Sequence, residues 1–66
     1  MFDVEVFDHI AGSNIVRQFP ALPRLGDGIK MKNRHGVVSN HTVKEVWFEE
    51  SLIAGQFEPK IMVEED

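Results

Sequence analysis

Phe2, Val4 and Val6 alternate with Asp3 and Glu5 at the start of the chain, and Asp8 extends the polar phase. Side chains of a strand point alternately to opposite faces, so a period of two predicts a half-buried strand here. Turn chemistry follows at Ala11, Gly12, Ser13 and Asn14: Gly and Asn tolerate positive φ, and Ser and Asn bond their own backbone. A second strand over residues 15–19 completes an antiparallel hairpin.

Pro20 and Pro23 then lock two φ angles and remove two backbone donors. That spacing excludes a helix or a central strand. An extended connection is expected, ending in a tight turn at Gly26 to Gly28, with Leu22 and Leu25 tucked under the sheet. Ile29, Lys30, Met31 and Lys32 alternate as a third strand, and Asn33, Arg34, His35 and Gly36 form the next turn, with Gly36 in the left-handed position. Residues 37–49 are long for one strand. Ser39 and Asn40 are expected to break it into a bend or two short strands. Its second half is β-branched and aromatic, with Val43 and Trp47 on one side and Val46 and Phe48 on the other. Residues 49–55 read as one short helical turn ended by Gly55. A last strand over 60–64 follows Pro59, and 64–66 read as a frayed acidic tail.

Five short strands with regular turn signals predict an all-β domain: a small five-stranded SH3-like barrel or a strongly bent antiparallel sheet. Closure would remove the unpaired edges that a flat sheet leaves.

The chain has 66 residues, 42% of them hydrophobic and none of them Cys. One domain over 1–66 accounts for that length, and a domain so short buries only about 60% of its unfolded surface. Without disulfides, help for the core must come from sheet packing, a metal or association. Apolar runs are far shorter than the ~20 residues a membrane helix needs, and the first residues lack the pattern of a secretion signal. A cytoplasmic location and no membrane association are expected. A catalytic cysteine and a Cys-based zinc site are excluded.

The net charge of −4 is segregated. Residues 1–16 hold three acids and no base, residues 17–44 six bases and one acid, and residues 45–66 seven acids and one base. Arg17, Lys30, Lys32, Arg34 and Lys44 lie in the basic middle, where Lys30 and Lys32 could share an outer face with Lys44. These residues are the candidate contacts for single-stranded nucleic acid. The acidic whole opposes that reading.

His9, His35 and His41 lack a recognised metal-ligand spacing and read as loop and surface histidines, so no metal and no cofactor are expected. Ser13, Ser39 and Ser51 sit in turn-like contexts without a placed base. Glu45 is the one carboxylate flagged for chemistry, although pairing with Lys44 or Lys60 accounts for it more simply. No catalytic residue is assigned in a single chain.

Arg17, Phe19, Pro20, Leu22, Pro23, Arg24, Gly26 and Asp27, followed by Ile29, Met31, Val43, Val46 and Trp47, form an order that resembles small uncharacterised proteins of phages, integron cassettes and related mobile elements. Those proteins resemble SH3-like barrels. The resemblance covers about the middle half of the chain and implies a bacterial or phage accessory role. It carries over no site residue.

The leading expectation is a non-enzymatic interaction module that binds a protein, a copy of itself among the candidates, through an exposed apolar strand at Val43, Glu45, Trp47 and Phe48. The runner-up is single-stranded nucleic-acid binding on the basic strand face. The third is an enzyme whose site forms only at a subunit interface, lined by Glu45, Trp47 and a histidine.

Overall fold

The alternating segments become five strands in the computed structural model, which describes residues 1–8, 12, 14–32 and 34–66. They are β1 (Phe2–Asp8), β2 (Asn14–Phe19), β3 (Gly28–Lys32), β4 (Val38–Glu50) and β5 (Phe57–Glu65). His9, Ala11, Ser13 and Asn33, each part of an expectation above, lie outside the described residues. One sheet forms in the order β2, β1, β5, β4, β3 and curls into a half-barrel. Among the described residues there is no helix, and so none long and apolar enough to cross a membrane.

The β1–β2 and β3–β4 hairpins are antiparallel, with Val4 opposite Arg17 and Ile29 opposite His41. The sheet is not wholly antiparallel. β5 pairs antiparallel with β4 and runs parallel to β1, with Val6 opposite Ile61. The last strand thereby joins two hairpins that would otherwise be separate.

Val4, Val6, Val43, Ile61 and Val63 are the buried core, and Phe19, Ile29 and Met31 pack partly against them. The pairings Val6 with Ile61 and Val43 with Val63 put these side chains on one face, the concave one. Each buried aliphatic side chain contributes about 1.5–3 kcal/mol. Asp8 shares this phase with Val4 and Val6, because it lies an even number of residues from them; it does not continue the polar phase of Asp3 and Glu5.

Leu22 and Leu25 do not close the core. They are 38% and 70% exposed, and Pro23 is buried instead. Backbone bonds, not leucine packing, fix this segment. The Asp27 N–H donates to the Arg24 carbonyl at 3.0 Å, the Arg24 N–H donates to Asp27 Oδ2 at 2.9 Å, and Gly26 at φ 88° supplies the positive φ that such a turn requires. The turn is strapped to β4 by Gly26 N–H to the Val43 carbonyl and Val43 N–H to the Asp27 carbonyl, both 2.9 Å.

β4 is one strand of 13 residues, unbroken at Ser39 and Asn40. The irregularity comes later. A β-bulge falls between Val43 and Glu45, where Val43 stands opposite Val63 and Glu45 opposite Met62. The extra residue, Lys44, shifts the phase of everything after it. Val43 therefore shares its face with Val46 and Phe48, and Trp47 points the other way with Glu45. This reverses the grouping expected from strict alternation.

The expected helical turn before Gly55 is a hairpin loop. Ser51 N–H donates to the Gln56 carbonyl at 2.7 Å, and Gln56 N–H donates to the Ile53 carbonyl at 3.1 Å. The acidic end is not frayed. β5 runs through Glu65, Asp66 N–H donates to the Asn40 carbonyl at 2.9 Å, and Thr42 Oγ1 donates to Asp66 Oδ1 at 2.8 Å. Among the described residues, 48–50 and 57–59 pair in the sheet only with each other, so the β4–β5 hairpin projects, in keeping with overall dimensions of 38 × 23 × 22 Å.

Candidate functional site

Beyond the bulge, the projecting hairpin carries the exposed apolar surface. Phe48 is 56% exposed, and Val46, Ile53, Phe57 and Leu52 are exposed with it. Glu49, Glu50 and Glu58 lie on the same hairpin and are exposed. Only Glu50 shares the face of Phe48 and Phe57; Glu49 and Glu58 stand on the opposite face, with Trp47 and Lys60. Val43, expected to share this surface, is 1% exposed and belongs to the core: it is on the same face as Val46 and Phe48 but stands opposite Val63 in the middle of the sheet, whereas they lie towards the projecting end.

Trp47 is half-buried. Its ring stacks on Phe7 with centroids 5.5 Å apart, and its indole N–H donates to Glu49 Oε1 at 2.9 Å. Leu52 and Ile53 are exposed and do not bury it. Of the two neighbouring aromatics, Phe48 is therefore the exposed one and Trp47 part of the convex face.

Beneath the stacked rings lies a group that sequence reasoning overlooked. Lys60, only 7% exposed, is bonded to Glu5 and lies 3.7 Å from Glu49 and 3.8 Å from Glu58. Asn14 Nδ2 also donates to Glu5. Lys60 is thus paired with these three carboxylates and not with Glu45. A signal was present: Lys60 is the sole base among the last 22 residues, so it was bound to be surrounded by acids.

The hydrogen bond from Lys60, aided by that from Asn14, lowers the Glu5 pKa from its usual 4.5. The bond to Glu5 raises the Lys60 pKa from its usual 10.5, against the opposing effect of desolvation. Stability from Glu5 is full above 4.5 and is lost as pH falls through the lowered value; stability from Lys60 is full below 10.5 and is lost as pH rises through the raised value. Urea midpoints measured against pH should fall at both extremes, and Glu5→Gln should flatten the acid limb. An unchanged acid limb in that variant would refute the coupling.

The basic residues are divided by the fold. Arg17 of β2 and Lys30 and Lys32 of β3 line one cleft of about 240 Å³ between the two outer strands, whose floor includes Phe19, Ile29 and Met31. Arg34 lies in the turn after β3, and Lys44 sits at the bulge, past the Gly28–Thr42 end of the β3–β4 ladder. The outer face expected for Lys30, Lys32 and Lys44 together does not form as a single ladder.

His41 is 5% exposed, which corrects its reading as a surface histidine. It pairs with Ile29 on the concave face, its Nε2 is 3.7 Å from Asp8 Oδ2, and its buried Nδ1 has no hydrogen-bond partner among the described residues. Asp8, Arg17, Ser39 and His41 line a concave mouth of about 310 Å³. Glu45 and Trp47 are on the convex face, so the fold does not bring them to His41. Among the described residues no cluster of three or more His, Asp or Glu could hold a metal ion.

Compared with known protein families, with curated proteins and with solved structures, the chain matches none.

Proposed function

We propose that the chain is a non-enzymatic interaction module that docks a protein partner on the apolar face of the β4–β5 hairpin. The carrying observation is that Val46, Phe48, Ile53 and Phe57 remain exposed together on a projecting hairpin of a very small domain. Aromatic residues dominate the energetics of protein contacts, and exposed apolar clusters of this kind mark interaction surfaces. Glu50, on the same face, asks for a partner with an apolar centre and a basic group at its edge. An accessory role in a bacterial or phage mobile element, and a cytoplasmic setting, belong to the proposal through the sequence resemblance. The curled five-stranded sheet is in keeping with the SH3-like barrels of that resemblance.

A photo-crosslinking residue placed at Phe48 tests the reading in cells. The expected result is one discrete adduct, with another protein or with a second copy, that disappears when Phe57→Ser is added. Diffuse crosslinking unaffected by that change would reject the hairpin as the docking face.

Single-stranded nucleic acid remains the second reading. In its favour, Arg17, Lys30 and Lys32 share one cleft. Stacking of bases needs exposed rings beside the cations; Phe2, opposite Phe19 of β2, is one such ring, whereas Phe48 and Phe57 lie on the acidic β4–β5 hairpin.

A further inference from the structure

The half-barrel has a seam. β2 and β3 end the sheet on its two sides, and neither is bonded to the other. No Cα of β2 comes within 8 Å of a Cα of β3, yet both strands line the same cleft. Adjacent strands lie about 4.8 Å apart, so a single strand inserted between two others needs them about 9.6 Å apart. The seam is too wide for β2 and β3 to pair directly, yet one cleft spans it, so the space between the two edges is open to a further strand. Each flanking strand leaves a row of backbone N–H and C=O groups turned towards the gap.

The side chains say what kind of strand would enter. The floor is apolar, made by Phe19, Ile29 and Met31, which pack against the core. The rim is cationic: Lys30 and Lys32 stand on the outer face of β3, opposite in phase to Ile29 and Met31, while Arg17 shares the inner face with Phe19. A strand alternates its side chains between two faces, so a segment alternating aliphatic and acidic residues would set the first on the floor and the second against the rim.

We propose that the seam between β2 and β3 accepts an extended acidic peptide segment of a protein partner by strand addition, completing the barrel. This site is separate from the apolar hairpin and stands or falls independently of it. Main-chain bonds to the two free edges hold the segment, and the cations select its charge. Nucleic acid fits the cations but cannot complete the two strand edges with main-chain bonds.

The test is titration of the isotopically labelled protein with a synthetic peptide of alternating glutamate and valine, about six residues long to match ordinary strands, with an alternating lysine–valine peptide and an oligothymidylate as comparisons. Binding of the acidic peptide should shift the amide signals of β2 and β3 and slow their hydrogen exchange, a protection that attraction to surface charge alone does not give. Lys30→Glu combined with Lys32→Glu should weaken it about tenfold or more, since like charges then face one another. Phe48→Ser should leave it unchanged, which separates this result from the fate of the hairpin reading. Both lysines are exposed, and unchanged Trp47 fluorescence verifies that the charge-reversed variant is folded. Shifts without exchange protection, equal binding of the lysine peptide, binding of the oligothymidylate alone, or a seam already closed by a second copy would each overturn the proposal.

Discussion

An Ile61→Ala chain is expected to be largely unfolded at ambient temperature. Ile61 is fully buried at the centre of the sheet, opposite Val6 on one side and Val46 on the other. Truncating a buried Ile or Leu to Ala costs about 2–5 kcal/mol, because the lost transfer energy is compounded by a cavity. A core in a domain of this size supplies no more than about 3–5 kcal/mol in total. One substitution is thus comparable with the whole stability. Trp47 fluorescence followed through a urea titration should lose its cooperative transition. The comparison is Ile53→Ala, a similar deletion on the exposed loop, which should leave the midpoint nearly in place. Equal effects from the two variants would show that the concave face is not the core.

Lys60→Ala is expected to have the second largest effect, about 3 kcal/mol of destabilisation. The substitution removes a nearly buried ammonium from among Glu5, Glu49 and Glu58 and leaves three carboxylates with no common counter-charge. Lys60→Met separates packing from charge. Its aliphatic chain refills the space under the stacked Phe7 and Trp47 rings, and replacing a buried charge by an apolar group of similar shape is far less costly than deleting it. Urea unfolding should rank the wild type first, Met second and Ala last, with the difference between wild type and Met shrinking at acid pH as Glu5 becomes protonated. If Met and Ala are equally destabilising, packing around the lysine stem contributes nothing.

Much of this architecture was legible because its signals are local. The alternation of Phe2, Val4 and Val6 identifies both β1 and its buried face, and the two prolines followed by Gly26 mark the connection into β3. Five strands in a strongly bent sheet follow from these patterns. What escaped reading depends on pairing between distant parts of the chain. Lys44 carries no mark of a bulge in its own residue type; only the register with Met62 and Val63 places the extra residue there. The same is true of Lys60, whose burial depends on Glu5 at the other end of the chain. Leu22 and Leu25 misled because hydrophobicity alone suggested burial, whereas Asp27 and Gly26 fix that loop through backbone bonds to Val43. Of the candidate site, Phe48 was recognisable as an apolar residue in excess of the core's needs. The gathering of Arg17 with Lys30 and Lys32 depends on the curl of the sheet, which no short stretch of sequence encodes.

The parallel pairing of β1 with β5 has a consequence for the order of assembly. Three hairpins can form from local sequence alone, β1 with β2, β3 with β4 and β4 with β5, and the last already brings Val43, Ile61 and Val63 together. The core is complete only when Val4 and Val6 arrive beside β5, bringing the first strand against the last. The search that limits folding is therefore the closure of nearly the entire chain into a loop, with its entropy lost before the β1–β5 contacts repay it. Topologies dominated by such distant contacts fold in milliseconds to seconds, far slower than helical proteins of equal size.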